Sequence, residues 1–319
     1  MRNPRLQLGI GDDCALLRLR PGEEMAVTTD LSIDGHHFRV EFHPPEAIGH
    51  RTLARGLSDL AAMGARPIAA FLSLGLPRNL LQKAKRRKPW LDLFLDGFLS
   101  LAAAHQTPLA GGDLAESPIV VADIVLAGAV RRGKALLRAG ARPGDLLYVT
   151  GSLGGSAAGL ARLMQSAPAH RRTRTHQMPL RIPARFQTML KPHLYPQPRI
   201  AQGLWLAKPS RATAAIDLSD GLSTDLTHLC EKSGVTAEVS AASLPIHPAA
   251  TLQQALHGGE DYELLFTAPN SARIPRKIGG VPVTQIGRIL RRRAGKPMIR
   301  LITARGLQPL DPQGWEHFS

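Results

Sequence analysis

The sequence predicts a mixed α/β protein of two domains, and three observations support this. The chain has 319 residues, 44% hydrophobic and 20% charged, which is enough apolar material for two cores of ordinary size. Short β-prone runs alternate with segments whose apolar residues recur at helical spacing. The 30 glycines and 25 prolines are scattered without a period, so they indicate turns rather than a fibrous repeat.

The first part of the chain alternates strands and helices. A glycine-rich turn at Gly9 leads into an apolar strand. Further strands are predicted at 24–30, 71–76 and 119–130, and helices at 45–63 and 90–105. The Gly-Gly-Asp motif at 111–113 is predicted to be a loop. Around 131–143 the alternation of strands and helices is interrupted by a stretch rich in Gly, Lys, Arg and Pro. We place the domain boundary there, which gives domains 1–134 and 135–319.

The second part repeats this alternation. Its predicted strands lie at 145–150, 214–218, 235–239 and within 258–269, with short strands after 291. Helices are predicted after the glycine-rich turn at 151 and at 223–231. The polar, basic stretch 166–183 is predicted to be a loop.

Cysteine content and hydropathy indicate the compartment. Only Cys14 and Cys230 are present, which provide neither a disulfide framework nor a zinc site. The first ten residues lack the apolar core of a signal peptide, and no uncharged apolar run reaches the length of a membrane span. We therefore expect a soluble, cytoplasmic protein with no membrane contact.

The formal net charge of +15 comes from short basic runs at 83–88, 170–174 and 291–296. Such runs suit a nucleic-acid surface, but they also suit solvated loops or general attraction of anionic substrates. Aromatic residues make up only 4% of the chain and do not interleave with the runs. We favour the second interpretation, so nucleic acid is not the expected partner.

Aspartates recur beside Gly, Ser or Thr where predicted strands and helices end. They are Asp12, Asp13, Asp30, Asp59, Asp113, Asp217 and Asp220. A single aspartate of this kind is ordinary turn chemistry. If several converge they need cations, because two carboxylates about 4 Å apart repel by about 4 kcal/mol at an effective dielectric near 20. An all-oxygen ligand set suits Mg²⁺, which typically bridges carboxylates and substrate phosphates.

Three familiar nucleotide motifs are absent from the sequence. There is no GxxxxGK[ST] loop and no protein-kinase set of motifs. The glycines of 151–159 follow a strand and open a helix, but their spacing does not fit GxGxxG. No familiar nucleotide-binding motif therefore competes with the aspartate turns.

The motifs themselves resemble one family. In order they are GIGDDCALL, LSDLAAMGARP, GGD, AIDLSDGLSTDL, GGEDYELLFTAP and the terminal GWEHF. This series is similar to that of the thiamine-monophosphate kinase family, from about Gly9 to Phe318. The resemblance implies an α/β (α+β) two-domain fold of the aminoimidazole-ribotide-synthetase type. It also implies that the N-terminal domains of a homodimer pair into a β-barrel.

The resemblance further implies the reaction, which is in-line transfer of the γ-phosphoryl group of ATP to thiamine monophosphate, assisted by several Mg²⁺ ions. Matching motifs assign metal binding to Asp13, Thr28, Thr29, Asp30, Asp59, Asp113, Asp217 and Asp220, with Asp30, Asp59 and Asp217 in the catalytic role. They assign the nucleotide to Gly112, Asp113, Arg138 and Ser219, and the thiamine side to His37, Glu260 and Trp315.

The chain departs from the family pattern at several positions. Leu31, Leu114 and Ala115 replace hydroxyl residues, and Gly56 replaces an asparagine. Only eight residues precede Gly9, where the family pattern implies a helix. Either the start codon is misassigned or the helix is absent, and the difference bears on part of the dimer or substrate surface. Two alternatives stay open: another ATP-using member of the superfamily, and a non-catalytic, nucleic-acid-binding descendant.

Overall fold

The computed structural model describes residues 3–11, 13–82, 88–171 and 184–314. Within these ranges the chain forms three β-sheets and seven α-helices. In the same ranges, no helix combines the length and the apolar character that crossing a membrane requires.

The first part of the chain holds a two-stranded and a four-stranded sheet. The small sheet pairs β1 (Leu6–Leu8) with β2 (Leu16–Leu17). The larger sheet has the order β3-β6-β4-β5, formed by β3 (Glu23–Ile33), β4 (Arg66–Leu76), β5 (Leu109–Glu116) and β6 (Val121–Arg131). Only β4 and β5 run parallel. Among the described residues this sheet is open, with β3 and β5 at its edges.

Two helices, α1 (Pro45–Ala62) and α2 (Trp90–Ala104), pack against each other beside this sheet. Proline occupies the first turn of α1, where its missing N–H costs no hydrogen bond. The two helix backbones approach closely at Gly49 and Gly97: a Cβ on either would lie 1.9 Å from a carbonyl oxygen of the other helix. Glycine at both positions therefore allows α1 to be buried along almost its whole length.

The second part is built on one eight-stranded sheet of order β14-β13-β9-β12-β7-β10-β8, with β11 beside β12. Its strands are β7 (Leu146–Thr150), β8 (Ala214–Asp217), β9 (Val235–Ser240), β10 (Leu264–Ala268), β11 (Lys277–Ile278), β12 (Val281–Arg291), β13 (Ile299–Thr303) and β14 (Gly306–Pro309). Its helices are α3 (Gly155–Arg171), α4 (Ala184–Leu194), α5 (Ile200–Leu206), α6 (Leu222–Ser233) and α7 (Leu252–His257).

The two parts share a hydrophobic core. One cluster of buried side chains joins Leu57 of α1 and Leu126 of β6 to Leu206 of α5 and Phe266 of β10. Helix α1 also contacts β8 and α4. Side chains of α1 are therefore held at the junction of both parts, which is where the candidate site lies.

The mixed α+β architecture in two parts is confirmed, but several elements differ from prediction. The 111–113 motif lies inside β5 rather than in a loop, because Gly112 adopts φ +147° and lets Leu72 of β4 approach; a Cβ there would lie 1.9 Å from the Leu72 carbonyl oxygen. Asp30 lies within β3, since the strand continues to Ile33. The predicted loop at 166–183 is helical through Arg171, and 172–183 falls outside the described residues.

Candidate active site

A cavity of about 620 Å³ opens beside α1. One group of lining side chains consists of carboxylates: Asp30, Asp59, Asp217, Asp220 and Glu260. Another group is aromatic or apolar and contains Phe38, Phe42, Leu160 and Met164. A cavity with both groups suits a substrate that has an anionic portion and an organic ring.

Helix α1 presents three charged side chains to this cavity region. Arg51, Arg55 and Asp59 follow one another at intervals of four residues, so they lie on one face of the helix. Arg55 forms an ion pair of 3.3 Å with Asp30, and Arg51 forms one of 2.6 Å with Glu260. This face of α1 therefore connects β3 to the turn that carries Glu260.

Asp59 accepts a hydrogen bond from the Thr28 hydroxyl. Burial raises the pKa of Asp59, and the charges of Asp217 and Asp30 raise it further, against the lowering effect of Thr28 and of the Arg138 charge. Burial likewise raises the pKa of Asp30. These carboxylates therefore lie close enough to repel one another in a poorly solvated site.

Asp217 ends β8 and is 3% exposed. Burial raises its pKa, the 2.7 Å hydrogen bond from the Ser58 hydroxyl lowers it, and the charge of Asp30 raises it. Ser58 lies on α1 beside Asp59. Adjacent residues of one helix thus contact the carboxylate of β8 and the hydroxyl of β3.

The turn after β8 is held by a buried carboxylate that the sequence analysis missed. Asp225, in the first turn of α6, accepts hydrogen bonds from the backbone N–H of Asp220 at 3.1 Å and of Gly221 at 3.0 Å. The sequence feature that could have identified Asp225 is its position in the first turn of a predicted helix, where a negative charge interacts favourably with the helix dipole. Asp225 fixes the loop on which Ser219 and Asp220 reach the cavity.

The Glu260–Tyr262 turn lies against this loop. Glu260 and Tyr262 adopt φ +66° and +50°, which is strained for residues with side chains. The Glu260 N–H donates to the Ser219 carbonyl at 2.7 Å, and the Tyr262 N–H donates to the Leu218 carbonyl at 2.9 Å. These backbone bonds hold the turn in its strained form.

Asp261, the middle residue of this turn, caps α3. Its carboxylate accepts hydrogen bonds from the N–H groups of Gly154 at 2.5 Å and Ser156 at 3.0 Å. Burial raises the pKa of Asp261 to about 7, and these two hydrogen bonds lower it. The start of α3 is therefore tied directly to the residue next to Glu260.

Other predicted site residues lie around this cluster. His37 lines the cavity, and its Nδ1 accepts a 3.2 Å hydrogen bond from the Ile33 N–H. Arg138 is exposed at the surface, and its charge lowers the pKa of Asp59 and Asp217. Trp315 lies outside the described residues, while Gly314 before it lines the cavity.

Three further predicted metal ligands are Thr29, Asp113 and Asp13. Successive strand residues point to opposite faces, so Thr29 faces away from Thr28 and Asp30. Asp113 pairs across the sheet with Ser73, on the same face as Thr29. Asp13 is exposed in the turn between β1 and β2. The assignment of these three residues as metal ligands stays a prediction.

Across the described ranges, no group of three or more His, Cys, Asp or Glu side chains is arranged to hold a metal ion by itself. The chemistry of Asp30, Asp59 and Asp217 nevertheless fits Mg²⁺, because a cation would neutralise these neighbouring carboxylate oxygens. Protein Mg²⁺ sites commonly use one or two carboxylates and complete the shell with water and substrate phosphates. The arrangement fits a metal that arrives with a phosphorylated substrate.

Gly56, which replaces the expected asparagine, packs closely against β6. A Cβ at Gly56 would lie 2.6 Å from Leu126 Cδ1, so the Leu126 side chain would have to move to admit a larger residue. Leu31 and Leu114 are 47% and 62% exposed. The predicted hydroxyl losses at these positions thus fall on the surface of the four-stranded sheet.

Comparisons with known proteins agree with this geometry. The model of the AIR synthase related protein N-terminal domain matches residues 11–130, and that of its C-terminal domain matches 142–299. A thiamine-monophosphate kinase of Salmonella typhimurium is 38% identical over 100% of this chain and 95% of its own length.

Two solved structures share the fold. The crystal structure of thiamine-monophosphate kinase from Stenotrophomonas maltophilia has a TM-score of 0.77 and 37% identity, over 93% of this chain and 91% of that one. AaThiL complexed with AMPPCP and TMP also has a TM-score of 0.77, with 28% identity over 94% of this chain and 89% of that one. With both domain models and a full-length relative in agreement, the chain belongs to the thiamine-monophosphate kinase family of enzymes.

Proposed function

We propose that this protein transfers the γ-phosphoryl group of ATP to the phosphate of thiamine monophosphate, giving thiamine diphosphate and ADP. The observation that carries the proposal is the Asp30, Asp59 and Asp217 cluster beside a large cavity: burial raises the pKa of all three carboxyl groups, and the Asp30 charge raises the pKa of Asp59 and Asp217 further. Family membership supports the same reaction, since one similar solved structure is AaThiL complexed with AMPPCP and TMP.

The chemistry calls for positioning and charge neutralisation rather than for covalent help. Both reactants are anionic phosphates, so catalysis comes from alignment and from opposing charge. In this proposal Asp30, Asp59 and Asp217 hold Mg²⁺, with Thr28 and Asp220 beside them. Bound Mg²⁺ would supply the neutralising charge between the two substrates. The assignment of Asp13, Thr29 and Asp113 to the same metals stays a prediction.

The chain's own cations would act on the phosphates. Arg138 lies close enough to lower the pKa of Asp59 and Asp217, and its planar guanidinium suits phosphate oxygens. Gly112 and Ser219 are proposed to contact the nucleotide through backbone and hydroxyl groups. Arg55 forms an ion pair with Asp30, so it would set the position of that carboxylate.

The thiamine side is proposed to bind among the remaining lining residues. His37 and Glu260 line the cavity together with Phe38 and Phe42. Gly314 also lines it, which supports a role for the next residue, Trp315, because an indole face attracts a cationic thiazolium ring. The N-terminal domain, 1–134, would supply Asp30 and Asp59 to the metal cluster, and the C-terminal domain, 135–319, would supply Asp217 and complete the cleft.

We also propose a homodimer in which two four-stranded sheets pair into a barrel. Strand β3 is an edge strand in the described part of the chain, and Met25 and Val27 on the face away from α1 are 44% and 59% exposed. Open edges and apolar faces favour pairing. Light scattering should give twice the 34.4 kDa chain mass, and Val27→Lys should shift the protein toward monomer. A monomeric wild type would contradict this proposal.

An end-point assay tests the reaction. Purified protein is incubated with MgATP and thiamine monophosphate, and thiamine diphosphate is detected as its fluorescent thiochrome derivative. We expect product with Mg²⁺, none after chelation, and none from unphosphorylated thiamine. Absence of product from thiamine monophosphate would contradict the proposal and favour another ATP-using reaction of the superfamily.

A further inference from the structure

Beside the cavity lies a chain of buried polar side chains to which the reaction assigns no role. His43 and His193 are 3% and 1% exposed, and their Nε2 atoms lie 2.9 Å apart. His193 Nδ1 lies 3.0 Å from the Ser156 hydroxyl and 3.1 Å from Arg51 Nη1. These residues come from different elements, namely the segment before α1, α1 itself, α3 and α4.

Arg51 is the charged member of this chain. Its side chain is 5% exposed, so each guanidinium N–H needs an acceptor. One amino group donates to the Glu260 carboxylate at 2.6 Å and to the His37 carbonyl at 3.2 Å. The other donates to the His193 carbonyl and faces His193 Nδ1. His193 therefore satisfies the half of the guanidinium that Glu260 does not.

The guanidinium selects the tautomer of both histidines. Arg51 has only donors, so His193 Nδ1 must accept. His193 then carries its proton on Nε2 and donates to His43 Nε2, which places the His43 proton on Nδ1, 3.2 Å from the Arg39 carbonyl. The Arg39 N–H lies 3.0 Å from the same Nδ1, so Arg39 offers His43 both a donor and an acceptor and suits either tautomer. Arg51 offers only donors, so the guanidinium decides the tautomer.

Burial and the charge of Arg51 lower the pKa of His193, and the same causes lower the pKa of His43 to about 3. Both rings are therefore neutral around pH 7. A lysine or arginine at 193 would set a second cation against Arg51, and an apolar residue would leave a buried donor unpaired. A neutral ring with an acceptor at Nδ1 meets both requirements.

We propose that His193 is a positioning residue for the organic substrate: it fixes the guanidinium of Arg51, which orients Glu260 in the cavity, and His43 accepts the hydrogen bond from the other ring nitrogen of His193. The inference rests on the proposed function, in which Glu260 contacts the thiamine side. Glu260 adopts a strained backbone, so its carboxylate needs support from outside its own turn. Arg51 gives that support only while His193 holds its other side.

Two substitutions separate this role from general stability. In His193→Asn the amide oxygen occupies nearly the place of Nδ1 and can still accept from Arg51. In His193→Gln the amide lies nearer to Nε2, so contact with His43 is kept and the acceptor facing Arg51 is lost. Leu101→Ala, a core residue of α2, is the matched control, because it creates a cavity without removing a hydrogen bond of the histidine chain.

The experiment measures KM for thiamine monophosphate, KM for ATP, kcat and Tm, with calorimetric binding of thiamine monophosphate as a second readout. We expect His193→Gln to raise the thiamine monophosphate KM and Kd about tenfold with little change in the KM for ATP. His193→Asn should stay near wild type, and Leu101→Ala should lower only Tm.

An unchanged thiamine monophosphate KM in His193→Gln, or an equal rise in both KM values, would overturn the inference. If wild type still forms thiamine diphosphate in that case, the proposed function is unaffected. A wild type that forms no thiamine diphosphate would overturn the proposed function, and the inference with it. These two failures are therefore distinguishable within one experiment.

Discussion

Ser58 on α1 donates a hydrogen bond of 2.7 Å to Asp217 at the end of β8, although the two residues are 159 positions apart. Both side chains are buried. This bond joins the first part of the chain to the second at the carboxylate cluster. Because Asp217 is also near the Asp30 charge, the serine is one of few groups that stabilise its ionised form.

Ser58→Ala should destabilise the metal-free protein. The substitution leaves a buried carboxylate without this donor, which typically costs about 1–3 kcal/mol, and it should move the pKa of Asp217 further up. Urea unfolding in the presence of a chelator measures the effect. Thr52→Val is the matched control, since the Thr52 hydroxyl only bonds a carbonyl of its own helix. Equal losses in the two variants would contradict a specific role for Ser58.

Asp59→Asn should separate stability from activity. Burial and the charges of Asp217 and Asp30 raise the pKa of Asp59 to about 8, so folding at neutral pH costs either proton uptake or an unfavourable charge. Asparagine removes this cost, so the Tm of the metal-free protein should rise. Turnover of thiamine monophosphate should fall about 10²-fold or more. The variant loses a carboxylate proposed to hold the Mg²⁺ that would neutralise the reacting phosphates. Asp96→Asn, which affects only an exposed pair with Lys88, should change neither quantity appreciably. Near-normal turnover in Asp59→Asn would refute the site assignment.

The sequence identified the carboxylates but not their partners. Asp30, Asp59 and Asp217 stood out because aspartates beside Gly, Ser or Thr are recognisable locally. Arg51 was missed because its partner Glu260 is 209 positions away, a relationship that only the tertiary fold creates. The spacing of Arg51, Arg55 and Asp59 on a predicted helix was a usable signal for their common face.

Strand geometry explains where the predicted metal set divides. Thr28, Thr29 and Asp30 are consecutive in β3, and alternation along a strand sends the middle side chain to the other face. That consequence followed once 24–30 was predicted as a strand. The pairing of His43 with His193 could not be predicted, because the two residues are 150 positions apart and the helix that carries His193 was not among the predicted elements.

Divalent cations should stabilise the protein without any substrate turnover. A ligand that binds only the folded state adds about 2.7 kcal/mol at a hundredfold excess over its dissociation constant. We therefore expect Mg²⁺ to raise the Tm of wild type in a concentration-dependent way, and chelation to reverse it. Asp217→Asn should weaken this response. A Tm that is insensitive to Mg²⁺, both alone and with a non-hydrolysable ATP analogue, would contradict magnesium binding at the cluster.

Gly112→Ala should be strongly destabilising. The residue has φ +147°, and a Cβ would lie 1.9 Å from the Leu72 carbonyl oxygen in the neighbouring strand, so β4 and β5 would have to separate. Gly133→Ala is the control, since its φ is +64° but no atom lies within 4 Å of an added Cβ. Thermal unfolding should show the larger loss at Gly112. Equal losses would mean that the close approach adds nothing to the backbone strain.

The buried histidines should make the protein acid-labile. His43 has a pKa lowered from 6.5 to about 3 in the folded chain, so between these values the unfolded chain binds a proton that the folded chain does not. Stability is therefore complete above about pH 6.5 and falls as the pH decreases, by up to about 1.4 kcal/mol per pH unit for each such histidine. His193 acts in the same direction.

Urea unfolding of wild type and His43→Gln between pH 7.5 and 5.5 isolates this contribution. Carboxylates with raised pKa values, such as Asp59, act with the opposite sign, but they are common to both proteins and cancel in the difference. Glutamine does not titrate and can still contact His193, so the variant should lose less stability on acidification than wild type. Parallel pH dependences of the unfolding free energy would show that His43 titrates normally in the folded chain. The inference that His43 and His193 form a neutral pair beside Arg51 would then be wrong.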